Sequence, residues 1–198
     1  RCTRSSYQEV GGRLMTRSLI QGESINLADT FAFTGTITGT TPITHIDQWR
    51  LTTDFGGDVD AITSNLERVD SDGGVLLGTA LTQSSGVFSF PVTGLWLIQF
   101  TALQGSSANN NDGRLRCEID TTTDGTNFSQ AALGSGNTHG TGGAAESYAR
   151  VQFIFDVTDV STHKVRFNVD PLDASNTTTK GSSVSTLTGF TFIRLGDT

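Results

Sequence analysis

The sequence contains few of the residues that build long helices. Only two of its 198 residues are lysine and one is methionine, whereas 31 are threonine and 23 are glycine. Lysine and methionine favour helices, threonine is enriched in strands, and glycine interrupts helices. This composition argues against an architecture of long helices and favours β structure.

Positive charge is also scarce. Lysine and arginine together number 13 against 20 aspartate and glutamate residues, which leaves a formal net charge of -7. Proteins that hold nucleic acid by its phosphates need clustered Lys and Arg side chains. The charge balance therefore argues against nucleic acid as a partner.

Long hydrophobic runs are missing from the sequence. No stretch approaches the roughly 18 consecutive apolar residues of a membrane-spanning helix. The first ten residues, RCTRSSYQEV, lack the apolar segment of a signal peptide. We therefore expect no insertion into a membrane.

Cysteine is too rare for a disulfide framework. The sequence holds only Cys2 and Cys117, whereas small secreted domains that depend on disulfides carry a dense set of cysteines. Cys117 alternates with Leu115 and Ile119, which predicts a buried thiol on the core face of a strand. A bridge between the two cysteines stays open as an alternative.

From His45 onward the chain is a series of short segments separated by turn residues such as Asp72-Gly73-Gly74. Their apolar residues repeat with a period of two, which predicts an antiparallel sandwich or barrel. The predicted strands lie near Gln48–Thr53, Leu66–Val69, Val75–Leu77, Val87–Phe90, Leu95–Ala102, Arg114–Ile119, Ser147–Val157, Lys164–Val169 and Gly189–Leu195.

The remaining segments lack a clear strand pattern. Residues 1–45 have weak, mixed patterning that ends in the alternating run FAFTGTITGTT, and we expect an extended N-terminal arm there. Residues 46–198 are expected to form the folded domain. Ser129–Ala145, rich in Gly, Ala, Ser and Thr, is expected to be a long exposed loop, as are Ser106–Gly113 and Leu172–Ser183.

One segment is more specific than composition. Residues Ser85–Phe100 read SGVFSFPVTGLWLIQF. Phe88 and Phe90 face one side of a strand, Pro91 ends it, and Gly94 permits the reversal. The segment resembles the T-G-x-F-x-x-P-x-x-G-x-Y-x-x-x-[FY] hairpin of the trimeric jelly rolls, the superfamily of the globular head of complement's first component and of tumour necrosis factor.

The end of the chain carries a second resemblance. Residues Gly189–Leu195, GFTFIRL, resemble the F-x-G-F-x-[LI] closing strand of the same superfamily. The longer form FTFIRLGDT is similar to that of phage structural proteins with this head domain. Together the matched segments extend over residues 46–198, although the part before Ser85 is only weakly matched.

The resemblance implies an all-β, antiparallel jelly-roll sandwich of about ten strands that assembles as a homotrimer. The sequence shows neither a collagen-like stalk nor a cysteine framework, which favours a viral role over a secreted complement-type role. Function in such domains is carried by exposed loops. The candidate aromatic residues for the core or the trimer interface are Phe88, Phe90, Trp96, Phe100, Phe190 and Phe192.

No constellation of catalytic residues stands out. His45, His139 and His163 are scattered without the spacing of metal ligands. There is no G-x-S-x-G elbow, and no cysteine has an evident histidine partner. We therefore expect a protein that is not an enzyme.

Two turns rich in aspartate raise the question of calcium. TDFGGDVD contains Asp54, Asp58 and Asp60, and DSDGG contains Asp70 and Asp72. Carboxylates near glycine turns suit a hard cation, but neither segment fits an EF-hand loop. We expect solvated turns without a cofactor, with calcium as the alternative.

The expected function is that of a phage virion structural protein on the particle surface, assembled in the host cytoplasm. It would be a capsid decoration, a head-fibre knob or a tail-fibre tip, with the arm bound to other virion proteins. The alternatives are a receptor-binding module that recognises a host-surface glycan or protein through its distal loops, and a secreted complement-like lectin or cytokine. The candidate ligand residues in the loops are Asn109, Asn110, Asn111, Asn137 and His139.

Overall fold

The computed structural model describes residues 43–106, 114–138 and 145–198. These residues form strands and contain no helix of the length and apolar character that crossing a membrane requires. The predicted all-β architecture is confirmed. The twelve strands are β1 (Ile46–Leu51), β2 (Phe55–Gly56), β3 (Leu66–Arg68), β4 (Thr82–Ser84), β5 (Val87–Ser89), β6 (Gly94–Ser106), β7 (Leu115–Thr122), β8 (Ser129–Gly136), β9 (Ala145–Val157), β10 (Lys164–Val169), β11 (Thr177–Thr179) and β12 (Gly189–Gly196).

The larger of the two sheets is organised around the 13-residue strand β6. Strand β9 is equally long and pairs with β6 along its whole length. On the other side of β6, β12 pairs with its first half and β11 with its last three residues. Strands β1 and β3 continue the sheet beyond β12, and β2 continues it beyond β11. All of these pairs are antiparallel, as the sequence predicts.

The smaller sheet has the strand order β4-β5-β10-β7-β8. In β7, Leu115, Cys117 and Ile119 are fully buried, because alternate residues of a strand point to the same face. The predicted burial of Cys117 is therefore confirmed. Burial raises the pKa of its thiol to about 12, since an apolar environment disfavours the thiolate.

The core between the sheets is built largely of aromatic rings. Phe88 of β5 lies edge-on to Trp49 of β1, with ring centroids 5.3 Å apart, and 5.5 Å from Phe167 of β10. Phe100 of β6 stacks on Phe190 of β12 at 4.9 Å. Edge-on and offset pairs of this kind are the preferred aromatic geometries. The contacts of Phe88 join the smaller sheet to the larger one.

The prediction of a loop at Ser129–Ala145 is wrong for its first half. Residues Ser129–Gly136 form β8, which pairs with β7 from Thr121 and Ser129 to Leu115 and Gly136. The sequence does not predict this strand because its side chains are small and show no apolar alternation. Close packing against β9 requires glycine at position 134. Thr177–Thr179, inside a second predicted loop, likewise form the short strand β11.

The predicted strand Val75–Leu77 is also wrong. Only Leu77 pairs with a neighbouring strand, through reciprocal hydrogen bonds with Ile46 at 2.9 and 3.1 Å. Gly78, with a φ of 73°, turns the chain away immediately afterwards. The segment is therefore a single bridge whose apolar side chains remain exposed.

The predicted N-terminal arm, residues 1–45, lies almost entirely outside the described residues. Its last residues, Ile43 to His45, lead directly into β1. The division into an arm and a domain at residue 46 therefore stays a prediction.

Candidate functional site

Five apolar side chains form a continuous row across the outer face of the larger sheet. Leu97 of β6 is directly opposite Ile154 of β9 and Ile193 of β12. Ile193 is opposite Ile46 of β1, and Ile46 is bridged to Leu77. Directly opposed residues point to the same face of a sheet. These five residues are called the apolar stripe below.

The apolar stripe is accessible to solvent in the single chain. Ile154 is 55% exposed and Leu77 is 41% exposed, and the three residues between them are half-buried. Neighbouring strands are about 4.8 Å apart, so the stripe extends over about 19 Å. A contiguous apolar surface of this kind usually marks an interaction site.

A polar row lies beside the apolar stripe on the same face. Gln152 is opposite Gln99, which is opposite Thr191, and Thr191 is opposite Gln48. Gln99 Nε2 donates to Gln152 Oε1, and Gln48 Nε2 donates to Thr191 Oγ1, each at 3.5 Å. An apolar centre next to a polar border is the usual composition of a protein interface.

The six candidate aromatic residues all lie inside the sandwich. Trp96, for example, is fully buried, and its Nε1 donates to the Val92 carbonyl at 3.3 Å. The residues between them, including Leu97 and Ile193, form the exposed face. The prediction named only aromatic residues and therefore did not include these two. The period-two alternation of the sequence does indicate these outward-facing positions, because the residue between two core positions of a strand faces outward. The exposed fractions are 0% for Phe88, Trp96, Phe100 and Phe192, 1% for Phe190 and 4% for Phe90.

Most of the candidate ligand residues in the distal loops cannot be placed. Asn137 is exposed and directly follows β8. Asn109, Asn110, Asn111 and His139 lie outside the described residues. Ligand binding by these loops stays a prediction.

The two most buried carboxylates have structural partners. Asp47, which is 1% exposed, accepts hydrogen bonds from Arg68 at 2.8 and 3.2 Å and from the Leu81 N–H at 2.9 Å. Asp120, which is 4% exposed, accepts two from Arg166, at 3.0 and 3.1 Å. A buried charge needs such partners to offset its lost hydration. Both carboxylates therefore connect neighbouring strands.

Carboxylates of both candidate calcium turns contact basic side chains of the same chain, and one of them also accepts a hydrogen bond from a backbone N–H. Asp54 accepts a hydrogen bond from the Gly181 N–H at 2.8 Å and one from Lys180 Nζ at 3.2 Å. Burial alone would raise the pKa of Asp54, but these contacts outweigh it and hold the pKa below its ordinary value. Asp70 pairs with Arg50 at 2.8 Å. Within the described ranges no three His, Cys, Asp or Glu side chains are grouped as metal ligands, and calcium binding stays a prediction.

The two histidines that can be placed pack against aromatic rings. His45 lies 5.6 Å from Trp96, and His163 stacks on Phe155 at 5.5 Å. Burial lowers the pKa of His45, and the positive charge of Arg194 lowers it further. Both imidazoles are therefore part of the packing at the ends of strands.

Comparison with known proteins finds solved structures of similar architecture. No protein-family model and no curated protein matches the chain. Eiger TNF from S. frugiperda matches with a TM-score of 0.56 and 10% identity, over 79% of this chain and 96% of that one. Murine APRIL at pH 5.0 matches with a TM-score of 0.54 and 8% identity, over 76% and 98%, and at pH 8.5 with 0.52 and 12%, over the same shares.

The described residues have a tumour-necrosis-factor-like jelly-roll fold. The similarity confirms the coarser part of the resemblance, which the Ser85–Phe100 hairpin and the closing strand carried. At these identities it establishes the fold alone. The finer likeness to phage structural proteins stays a prediction. In this jelly roll, the apolar stripe is an exposed feature of the larger sheet that the core does not explain.

Proposed function

We propose that the chain is a non-enzymatic structural protein of a phage particle, which assembles as a homotrimer through the outer face of its larger sheet. The observation that carries the proposal is the apolar stripe from Ile154 to Leu77. Five directly opposed apolar side chains on an exposed sheet face are explained if a second copy covers them.

The composition of the face supports self-association. Stable interfaces combine an apolar centre with a polar border and bury about 1,200–2,000 Å² in total. Leu97 and Ile193 lie in the middle of the face, and Gln99 and Thr191 follow them on the polar side. Covering the stripe removes apolar surface from water, which contributes about 25 cal/mol for each Å² buried.

A closed ring of three copies is the assembly that the resemblance implies. In a cyclic trimer each copy presents its sheet face to one neighbour and a different surface to the other. Such a ring closes, so no copy of the stripe is left exposed to recruit further chains.

A place on the particle surface fits the remaining properties of the chain. The net charge of -7 disfavours contact with a packaged genome. The buried carboxylates Asp47 and Asp120 are held by arginines as parts of the packing, and their contacts account for them without catalysis. The trimer would be assembled in the host cytoplasm and attached to other virion proteins through residues 1–45.

Native mass spectrometry of wild type and one variant tests the trimer. Wild type is expected at three times the 21.0 kDa chain mass. Ile154→Glu places a charge in the stripe at a residue 55% exposed in the single chain, so it should give a folded monomer. The matched control is Leu172→Glu, at 63% exposure outside the stripe, which should stay trimeric. A monomeric wild type contradicts the trimer, and a trimeric Ile154→Glu contradicts the role of the stripe.

The virion location has its own test. Peptides of the chain should be found by mass spectrometry in density-purified particles, and antibodies against the jelly roll should label intact particles. If the chain occurs only in the soluble fraction of the lysate, the structural role is wrong. That outcome would leave the trimer unaffected, so the two parts of the proposal fail separately.

Host recognition by the distal loops is the second proposal. Its support is the exposed Asn137 at the end of β8, since amide side chains suit hydrogen bonding to sugars or peptides. Deleting residues 139–144 shortens the segment between β8 and β9 and keeps both strands. Host adsorption should be lost while the oligomeric mass is unchanged, and unaltered adsorption would rule the proposal out.

A further inference from the structure

A cleft of about 320 Å³ lies on the outer face of the smaller sheet. Its walls include Thr82 and Ser84 of β4, Ser89 of β5, Phe128 just before β8, and Lys164 at the start of β10. The register places Thr82 opposite Ser89 and Ser89 opposite Lys164. Two hydroxyls and an ammonium group therefore share one row across three strands. This feature is called the Lys164 cleft below.

Lys164 carries a positive charge that no ion pair among the described residues neutralises. The sequence has one other lysine, Lys180, which is paired with Asp54 at 3.2 Å. The Lys164 side chain has no ion pair or hydrogen bond among the residues that the structure describes, whereas its backbone belongs to the sheet ladder. The nearest cation on the same strand face, Arg166, is committed to Asp120 at 3.0 Å. Lys164 is thus the cation available to a ligand in the cleft.

The hydroxyl groups that line the cleft are, like the Lys164 ammonium group, available to bind a ligand. Thr82, Ser84 and Ser89 make no side-chain hydrogen bond within the described part of the chain. Each hydroxyl donates one hydrogen bond and accepts others. Three such groups around an ammonium match a ligand that carries hydroxyls as well as a negative charge.

Phe128 supplies the apolar part of the cleft. The Arg166 guanidinium lies over its ring at 4.7 Å from the centroid, which fixes the aromatic side chain. The ring is half-buried, so part of it forms an apolar wall. Sugar rings present C–H groups as well as hydroxyls, and an aromatic wall beside polar groups suits both.

We infer that the Lys164 cleft binds an acidic saccharide, a sugar that carries a carboxylate. The carboxylate would contact Lys164 Nζ, the sugar hydroxyls would bond to Thr82 and Ser89, and the ring would lie against Phe128. One available lysine in a chain with a net charge of -7 is too little for a polyphosphate such as nucleic acid. The cleft lies on the smaller sheet and shares no residue with the apolar stripe of the larger sheet, so the inference rests on the single chain.

NMR titration of the full chain provides the test. The probes are the methyl glycosides of glucuronic acid and of sialic acid, with methyl glucoside as the neutral control and acetate as the bare anion. At least one acidic glycoside should shift the amide signals of Ser89, Phe128 and Lys164. Methyl glucoside and acetate should each bind about tenfold more weakly, because each lacks one half of the recognised chemistry.

The two lysines give a matched pair of variants. Lys164→Gln should weaken binding of the acidic glycoside by about tenfold, as expected for loss of a charge-assisted hydrogen bond. Lys164→Arg should retain most of it, and Lys180→Gln should leave it unchanged. Chemical acetylation gives a second measurement, since the bound glycoside should protect Lys164 and leave the rate at Lys180 the same.

Several outcomes would overturn the inference. They are equal binding of methyl glucoside, equal binding of acetate, no binding of either acidic glycoside, or an equal loss in Lys164→Gln and Lys180→Gln. The oligomeric mass of the wild-type chain is measured alongside. A wild-type trimer that does not bind refutes the cleft alone, and a wild-type monomer that binds refutes the proposed assembly alone.

Discussion

Gly134 of β8 lies directly against the backbone carbonyl of Arg150 in β9, so that a Cβ at position 134 would overlap the carbonyl oxygen. Two residues further on, a Cβ at Gly136 would lie 2.8 Å from the carbonyl oxygen of Tyr148. Strand β8 belongs to the smaller sheet and β9 to the larger one. The two sheets therefore meet along one side of the sandwich by backbone-to-backbone contact, which glycine permits.

Gly134→Ala is expected to destabilise the fold by about 2–3 kcal/mol. The added methyl group has to displace backbone, and forcing extra atoms into a packed region costs about 1–3 kcal/mol. The measurement is the free energy of unfolding from a urea titration. Gly196→Ala is the control, because nothing lies within 4 Å of a Cβ at that position. Equal stability of the two variants would show that β8 and β9 are not in close contact.

The same contact explains why β8 could not be predicted from the sequence. Its segment, SQAALGSG, consists mostly of small residues, because close approach to β9 leaves no room for the alternating large side chains that mark a strand. Strands that pack by side chains were predictable. Lys164–Val169 has the bounds that its alternation predicts, since Val165 and Phe167 alternate with charged residues.

The prediction of the candidate site residues from the sequence was limited for a related reason. The aromatic residues of the Ser85–Phe100 hairpin lie in the core, whereas the exposed stripe depends on Leu97. A stripe across five chain segments is defined by register, which pairs Leu97 with Ile154 and Ile193. Register between distant strands depends on their tertiary packing. Period-two alternation therefore predicts which face of the sheet a residue occupies, but not which residue of the next strand lies opposite it. The Lys164 cleft was missed for the same reason.

Trp96→Ala is expected to cost about 3–5 kcal/mol in the free energy of unfolding, the range for removing a large buried aromatic side chain. Trp96 is fully buried, and its ring lies 5.1 Å from that of Phe90. Trp96→Phe keeps an aromatic ring and loses the hydrogen bond to the Val92 carbonyl, so a smaller loss is expected. Chemical denaturation followed by circular dichroism measures both.

A surface variant is the control for this comparison. Leu172 is 63% exposed, and Leu172→Ala should change the free energy of unfolding by no more than about 0.5 kcal/mol. If Trp96→Ala falls in the same small range, the facing of β6 is wrong, and with it the assignment of Leu97 to the outer face.

The Cys117 thiol is expected to be unreactive in the folded chain. It is fully buried, and burial raises its pKa to about 12. The reactive thiolate is therefore scarce at neutral pH. In a Cys2→Ser background, an aromatic disulfide reagent should label Cys117 only after denaturant is added. Rapid labelling without denaturant would contradict the packing of β7 against the core.

His45 is expected to make the folded chain less stable as the pH falls below neutrality. Burial and the charge of Arg194 lower its pKa from the ordinary value of 6.5, so in acid the unfolded chain binds a proton at this site before the folded chain does. The stability that neutral His45 contributes is complete above pH 6.5 and is lost as the pH falls through the folded-state pKa. Melting temperatures from about pH 7.5 to about pH 5 should therefore fall more steeply for wild type than for His45→Gln. Parallel curves for the two proteins would mean that His45 keeps the same proton affinity in the folded and unfolded chains, and that its contact with Trp96 at 5.6 Å does not favour the neutral ring.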